Sequence, residues 1–401
     1  MKVVKTSLRA VFVVIFFFSA HLALRAQIGQ DSTRRPIVTA VQFLMITPDA
    51  RAGGMGDGGV ALSPDINSTY WNPSKLAFME KDMGFGLSYT PWLQNLVNDM
   101  WISYLTGYYK LNKRQAIAGS LKYFSMGELE FTNIRGQQIQ IFRPNEFAAD
   151  AHFAMQLSDN FSMSVGARFI HSNLAGNFTN GSPGTGARPG STGAVDIAGF
   201  HTKKITIKDI NATWNTGFNI SNIGPRISYG DPQVSDFIPT NLRLGSSLTG
   251  DIDEFNKLTL NVDFAKLLVP TPPLRNLQNQ IVAGKDPDRG FFSAMLGSFT
   301  DAPDGMREEL REIIISAGAE YWYNDLFAVR GGLFHEARDK GNRQYFTVGL
   351  GLKYQLIQAD FSYLIPRQQN NPLANTLRFS LLFNFAKKGK SSGAATDTET
   401  E

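Results

Sequence analysis

The chain has 401 residues, a formal charge of +4 and no cysteine, which excludes disulfides, thiolate metal sites and a lipidated N-terminal cysteine. Only 18% of its residues are charged, against about 25% in a typical soluble domain. Lys2, Lys5, Arg9 and Arg25 carry the whole excess: without residues 1–26 the formal charge is 4 − 4 = 0, so the basic balance is no evidence for nucleic acid.

Residues 1–26 read as a signal peptide. A basic start precedes the apolar run Ala10–Ala20, and Ala26 offers a cleavage point, with Ala23 as the rival. No later run reaches the ~20 apolar residues that a membrane-spanning helix needs.

Residues 27–82 do not alternate like strands. Arg51–Val60 is glycine-dense, and Asn67–Lys75 is turn-rich and aromatic. A phosphate-binding reading of the glycines fails: no strand precedes them, no helical run follows, and no Lys-Ser/Thr pair is present. Glycine also lets a backbone fold in a narrow space. The segment is therefore expected to be a plug inside a barrel, with Asp49, Arg51, Gly53, Gly54, Gly56, Asp57, Asn72 and Pro73 as its characteristic residues.

From residue 83 onward the pattern is period two. Fourteen strands are expected near 83–91, 100–110, 115–126, 145–157, 161–173, 193–200, 204–221, 240–250, 256–268, 311–323, 326–336, 343–354, 357–365 and 375–385. In the last of them Leu377, Phe379, Leu381, Phe383 and Phe385 share one face, while Arg378, Ser380 and Asn384 share the other. Every second link is short: 111–114, 158–160, 201–203, 251–255, 324–325 and 355–356. The links between them are mostly longer, at 92–99, 127–144, 174–192, 222–239, 269–310, 337–342 and 366–374. Alternating greasy and polar faces, an even strand count and sorted loops define an all-β, transmembrane outer-membrane β-barrel of 14 antiparallel strands. That architecture would place both termini in the periplasm and the long loops outside the cell, with residues 83–385 as the barrel and 386–401 as a disordered tail.

Strand parity turns Phe346, Val348, Leu350 and Leu352 to lipid, and Thr347, Gly349 and Lys353 to the lumen. It also places Asp150, His152, Arg168, Arg243, Asp263, Glu320, Arg330, Asp360 and Arg378 inside. Charges of both signs there predict a salt-bridged lumen packed against the plug, with Asp49, Arg51 and Asp57 as partners. The alternative is a solute-selective channel.

Function should concentrate in the external loops. In 92–99, Trp92, Leu93, Leu96 and Val97 fall on one stripe of a possible short helix. In 269–310, Phe291, Phe292, Met295, Leu296 and Phe299 make either an exposed adhesive patch or an inward-folded lid. Trp92, Leu93, Leu96, Phe291, Phe292, Met295 and Phe299 are the candidate partner contacts. The glycine-rich stretch in 174–192 reads as a mobile tip.

Catalysis has little support. His171 beside Ser172 and His335 beside Glu336 could make a hydrolase dyad at a rim, but no Gly-x-Ser-x-Gly elbow occurs. The histidines are scattered, with no His-x-x-x-His. No enzymatic activity, metal or cofactor is expected.

Pro48–Ala61 followed by Trp71–Lys75 resembles the hatch of the FadL-type outer-membrane barrels. More closely, the chain is similar to the PorV (LptO) family of FadL-like barrels of the type IX secretion system. The similarity is carried by Pro48–Ala61, Ser88–Trp92, Tyr104–Lys110, Asn219–Pro225, Phe237–Arg243, Lys266–Pro273 and Asn375–Ser380. The stretch 174–192 has no match.

The resemblance implies a protein that binds the C-terminal signal domain of secreted cargo. It also implies association with the translocon barrel (SprA, or Sov) and delivery of cargo to the sortase PorU and the attachment complex, with outer-membrane lipid around it. Two rival functions remain, a FadL-like transporter of hydrophobic small molecules and a lipopolysaccharide deacylase.

Overall fold

The computed structural model describes residues 34–132, 135–174, 188–230, 234–368 and 371–386. The expected signal peptide, most of 174–192 and the tail from 387 lie outside them.

Fourteen antiparallel strands close into one barrel in sequence order. They are β1 (Met83–Pro91), β2 (Met100–Lys110), β3 (Gln115–Met126), β4 (Asn145–Gln156), β5 (Phe161–Asn173), β6 (Gly190–Ile207) and β7 (Ile210–Ile223). The second half comprises β8 (Asn241–Asp251), β9 (Asn256–Leu267), β10 (Ile314–Tyr323), β11 (Phe327–His335), β12 (Gln344–Tyr354), β13 (Ile357–Pro366) and β14 (Leu377–Phe385). Closure is made by β1 on β14, with Met83 opposite Phe385 and Tyr89 opposite Phe379. Every backbone edge is thereby paired, as hydrocarbon requires.

The faces follow parity. Leu350 is 47% exposed on the outside, whereas Arg378 is 2% exposed and turned into the lumen. Phe85 stacks on Phe383 along the outer seam, centroids 4.8 Å apart.

One hairpin differs from expectation. The sixth strand does not end near 200 but runs to Ile207, and the turn is Lys208–Asp209 rather than 201–203. Lys208 and Asp209 both take positive φ, 46° and 69°, the left-handed pair of a two-residue type I′ turn. Neither residue is glycine, so composition hid the turn. Three long loops also carry small two-stranded ribbons outside the barrel order: Leu129–Thr132 with Gln138–Phe142, Ile227–Ser228 with Ser235–Asp236, and Leu274–Arg275 with Ile281–Ala283. The stripe in 92–99 forms no helix; Leu93 sits at φ 50° and a single turn follows it.

Residues 35–82 run through the lumen as a strap and a plug. Helix α1 (Ala50–Gly54) lies against β11–β14, the short helix α2 (Ser68–Trp71) follows, and the 3₁₀ turn Pro73–Phe78 lies against β3–β6 on the opposite wall. The described chain starts and finishes at opposite ends of the barrel. Arg35 meets Glu308 and Asp339 at the long-loop end, while Phe385 accepts from Asp82 at the short-turn end. The termini themselves, expected on one side, lie outside the described residues.

Candidate functional site: the long-loop end and the plug beneath it

The plug is fixed to the wall first by close backbone approach. At Gly56, φ is 73° and an added Cβ would sit 2.3 Å from the Leu333 carbonyl oxygen. Facing it, a Cβ on Gly332 would sit 2.1 Å from the Gly56 nitrogen. Only glycine tolerates both the φ and the contact. Gly53 and Gly54 lie less tightly against Arg378 and Gly349, where an added Cβ would sit at 2.8 and 3.2 Å.

Charge then locks it. Arg51 bonds Glu320 at 2.9 Å and Asp65 at 2.9 Å. Glu320 also takes Arg330 at 2.7 Å, and Arg330 reaches Asp360 at 2.7 Å. Arg378 pairs with Asp57 at 3.1 Å. On the other wall Arg168 bridges Asp150 and Asp196 at 3.0 and 2.8 Å. Buried charges persist only when paired and hydrogen-bonded, and these are.

Arg51 and Asp57 thus meet barrel charges as expected. Asp49 does not: it caps α1 by accepting from the Ala52 N–H at 2.9 Å and from Trp71 Nε1 at 2.6 Å. A residue at a helix start serves its own orphan N–H groups first. Asn72 accepts from the Ser74 N–H and donates to the Val60 and Gly199 carbonyls, and Pro73 opens the 3₁₀ turn.

Above the plug, Lys122 Nζ donates to the Leu44 and Ile46 carbonyls and lies over the Tyr70 ring, whose hydroxyl also donates to Leu44. Val41, Phe43 and Leu44 of the strap are buried among Ile102, Phe124, Ile170, Ile227 and Ile238, closing this end with an apolar layer. Two cavities flank the blockage. One of about 510 Å³ opens at the short-turn end beside Lys257, Trp322 and Lys353. The other, of about 90 Å³, lies under the loops beside Trp92, Asp57 and Arg378. They share no lining residue.

At the rim, loop 268–313 folds into helix α3 (Phe291–Gly297) and helix α4 (Met306–Arg311). It is both lid and patch. Its acidic side chains turn down: Glu308 is fully buried beneath Arg35 and Lys340, and Glu312 lies between Lys340 and Lys266. Burial alone would raise the Glu308 carboxyl, but hydrogen bonds from Arg35 and Lys340 hold it at about 2. Its apolar side chains turn up: Phe292 is 68% exposed and Leu296 69%, with Met306 and Leu310 likewise exposed.

The candidate contacts separate accordingly. Phe292, Phe299 and Leu96 are exposed; Phe291, Met295 and Leu93 are half-buried; Trp92 turns inward onto the apolar layer. Loop 92–99 is bonded to a different neighbour, Asn95 donating to the Ala374 carbonyl. Met306 and Leu310, four residues apart on α4, were legible as one helical stripe.

The two possible dyads do not form. His171 faces outward and bonds Ser191 at 2.8 Å, while Ser172 faces inward and bonds Glu146 at 2.6 Å. His335 is exposed, and buried Glu336 pairs with Arg343 at 2.8 Å. Neighbours in a strand point to opposite faces, which defeats both pairings.

A closed fourteen-strand barrel with a lipid-facing apolar surface and an N-terminal plug in its lumen is an outer-membrane barrel of the FadL type. The fold is similar to that of a TodX deltaS2S3 mutant monoaromatic hydrocarbon channel, with TM-score 0.51 and 12% identity over 84% of this chain and 99% of that one. It is also similar to the Ralstonia pickettii toluene transporter TbuX, with TM-score 0.43 and 13% identity over 85% and 98%. At such identities the likeness concerns fold alone. No curated protein matches the chain.

The family is more specific. Residues 29–274 match the family described as type IX secretion system protein PorV. That span is more than half of the chain, which therefore belongs to the PorV family.

Proposed function

We propose that this outer-membrane barrel works in type IX secretion as an adhesive carrier. Its long loops face outward, take up the C-terminal signal domain of cargo at the translocon barrel, and present it to the sortase and attachment complex. The observation that carries this reading is the division of the long-loop end: apolar side chains on α3 and α4 stand exposed above a lumen filled by the plug. Exposed apolar clusters of this kind mark binding surfaces.

The transporter reading needs a gap in the wall. Among the described barrel pairs the register shifts at Val195/Ile197, between β6 and β7. There Asn222 fills the irregularity, its N–H donating to Asp196 at 2.8 Å while Arg168 bonds its side chain. A bulge closed by its own polar network speaks against an exit for a hydrophobic solute at that point.

The test is capture of purified C-terminal signal domains by the barrel in detergent. Phe292→Asp with Leu296→Asp should abolish most of the capture while the barrel stays folded; full capture by that variant would defeat the assignment. Deleting 269–310 is a poorer test, because it also removes Glu308 and Glu309.

A further inference from the structure

We infer that Arg35, at the start of the strap, is a positioning residue that latches the long loop onto the barrel. Six charges alternate in one chain beneath that loop: Arg35, Glu308, Lys340, Glu312, Lys266 and Glu309. The separations are 2.8 Å for Arg35–Glu308, 2.6 Å for Glu308–Lys340 and 2.8 Å for Lys340–Glu312. They continue at 2.5 Å for Glu312–Lys266 and 2.9 Å for Lys266–Glu309.

Three cations face three buried glutamates, and they come from four places in the chain: the strap, the end of β9, α4 with its C-cap, and the 336–343 loop. Arg35 engages both Glu308 oxygens, with Nε at 3.1 Å and Nη2 at 2.8 Å, and also reaches the more exposed Asp304 at 3.0 Å, which Arg311 shares. Its N–H also donates to the Asp339 carbonyl at 3.0 Å, so the strap is bonded to two loops at once.

Without that guanidinium, three buried carboxylates would share two ammonium groups, and the unpaired charge would draw water under α4. The effect reaches α3 through two further contacts. Glu309 accepts from the Ala302 N–H at 2.9 Å, and the neighbouring Asp301 holds Arg289 at 2.7 Å, beside Gly297. The latch therefore sets how Phe292 and Leu296 are presented. Its consequence for cargo rests on the proposed docking role, but the latch itself does not.

The test is hydrogen exchange on the full chain in detergent, read separately over 291–312 and over β12–β14. Arg35→Gln should speed exchange in 291–312 by about tenfold and leave the strands unchanged. Arg35→Lys should keep most of the protection. Unchanged exchange in Arg35→Gln overturns the latch.

Should that variant fold poorly, the absence of native cysteine allows Arg35→Cys with Asp304→Cys to be joined by a short bismaleimide. Joining supports the geometry and failure to join overturns it. A loosened loop with undiminished signal-domain capture would uphold the latch and refute the docking role.

Discussion

Arg330 and Phe292 mark two regions where a residue and its surroundings look mismatched. Arg330 is almost wholly buried in a barrel wall, and Phe292 stands largely exposed on a loop. The first mismatch is resolved inside the molecule: Glu320, Asp360 and, one step on, Arg51 of the plug complete the charges. The second is not, since among the described residues Phe292 meets Phe291 alone as a ring partner. These lumen charges are paired with one another, whereas the apolar side chains at the rim stand exposed. Function in this fold should therefore be separable from stability, lying above the plug rather than through it.

The largest expected effect belongs to the lumen. Arg330→Met strands Asp360 and halves the neutralisation of Glu320, and breaking such a buried set costs about 3–5 kcal/mol. The unfolding midpoint should fall accordingly, while folded protein still captures signal domains. A fall in capture without loss of stability would erase the division between the regions.

Next comes the plug contact. Gly332→Val places side-chain atoms where the Gly56 backbone now lies, an overpacking of about 1–3 kcal/mol. Planar-bilayer recording should show no conductance from the parent barrel and a leak from this variant. An equally silent variant would mean that the plug does not seal the lumen at that contact.

The rim should show the reverse profile. Phe292→Asp with Leu296→Asp should leave the midpoint within about 0.5 kcal/mol and weaken capture by about tenfold or more. The smallest effect is one of pH. Glu308 titrates at about 2 instead of its ordinary 4.5, so its contribution is complete above about 4.5 and is lost as pH falls toward 2. Protection of 291–312 against exchange should be flat from neutral pH down to about 4.5 and decline below it, and Glu308→Gln should flatten that decline.

The barrel was legible in the sequence because period two is a local signal: Phe346, Val348, Leu350 and Leu352 announce a lipid face without knowledge of any partner. Long-range partnerships were legible only in kind. That Arg378 and Asp57 needed opposite charges followed from their burial, and the structure pairs them with each other.

The misses share a cause. Charge alone points Asp49 to a barrel partner, whereas its position at a helix start decides its partner; hydrophobicity alone points Trp92 outward, whereas it packs onto the apolar layer beside the turn at Leu93. The turn at Lys208–Asp209 depends on two positive φ values that neither residue advertises. Arg35 carried no signal, because its partner Glu308 lies 273 positions away.

The central claim is that contact with cargo occurs at the long-loop rim and nowhere else on the barrel. Single cysteines at Leu96, Phe292 and Leu296, and at Lys257 and Lys353 by the short turns, test it by crosslinking to C-terminal signal domains during secretion. Adducts are expected from Phe292 and Leu296 and none from Lys257 or Lys353. Adducts from the short-turn positions, or silence at the rim, would contradict it.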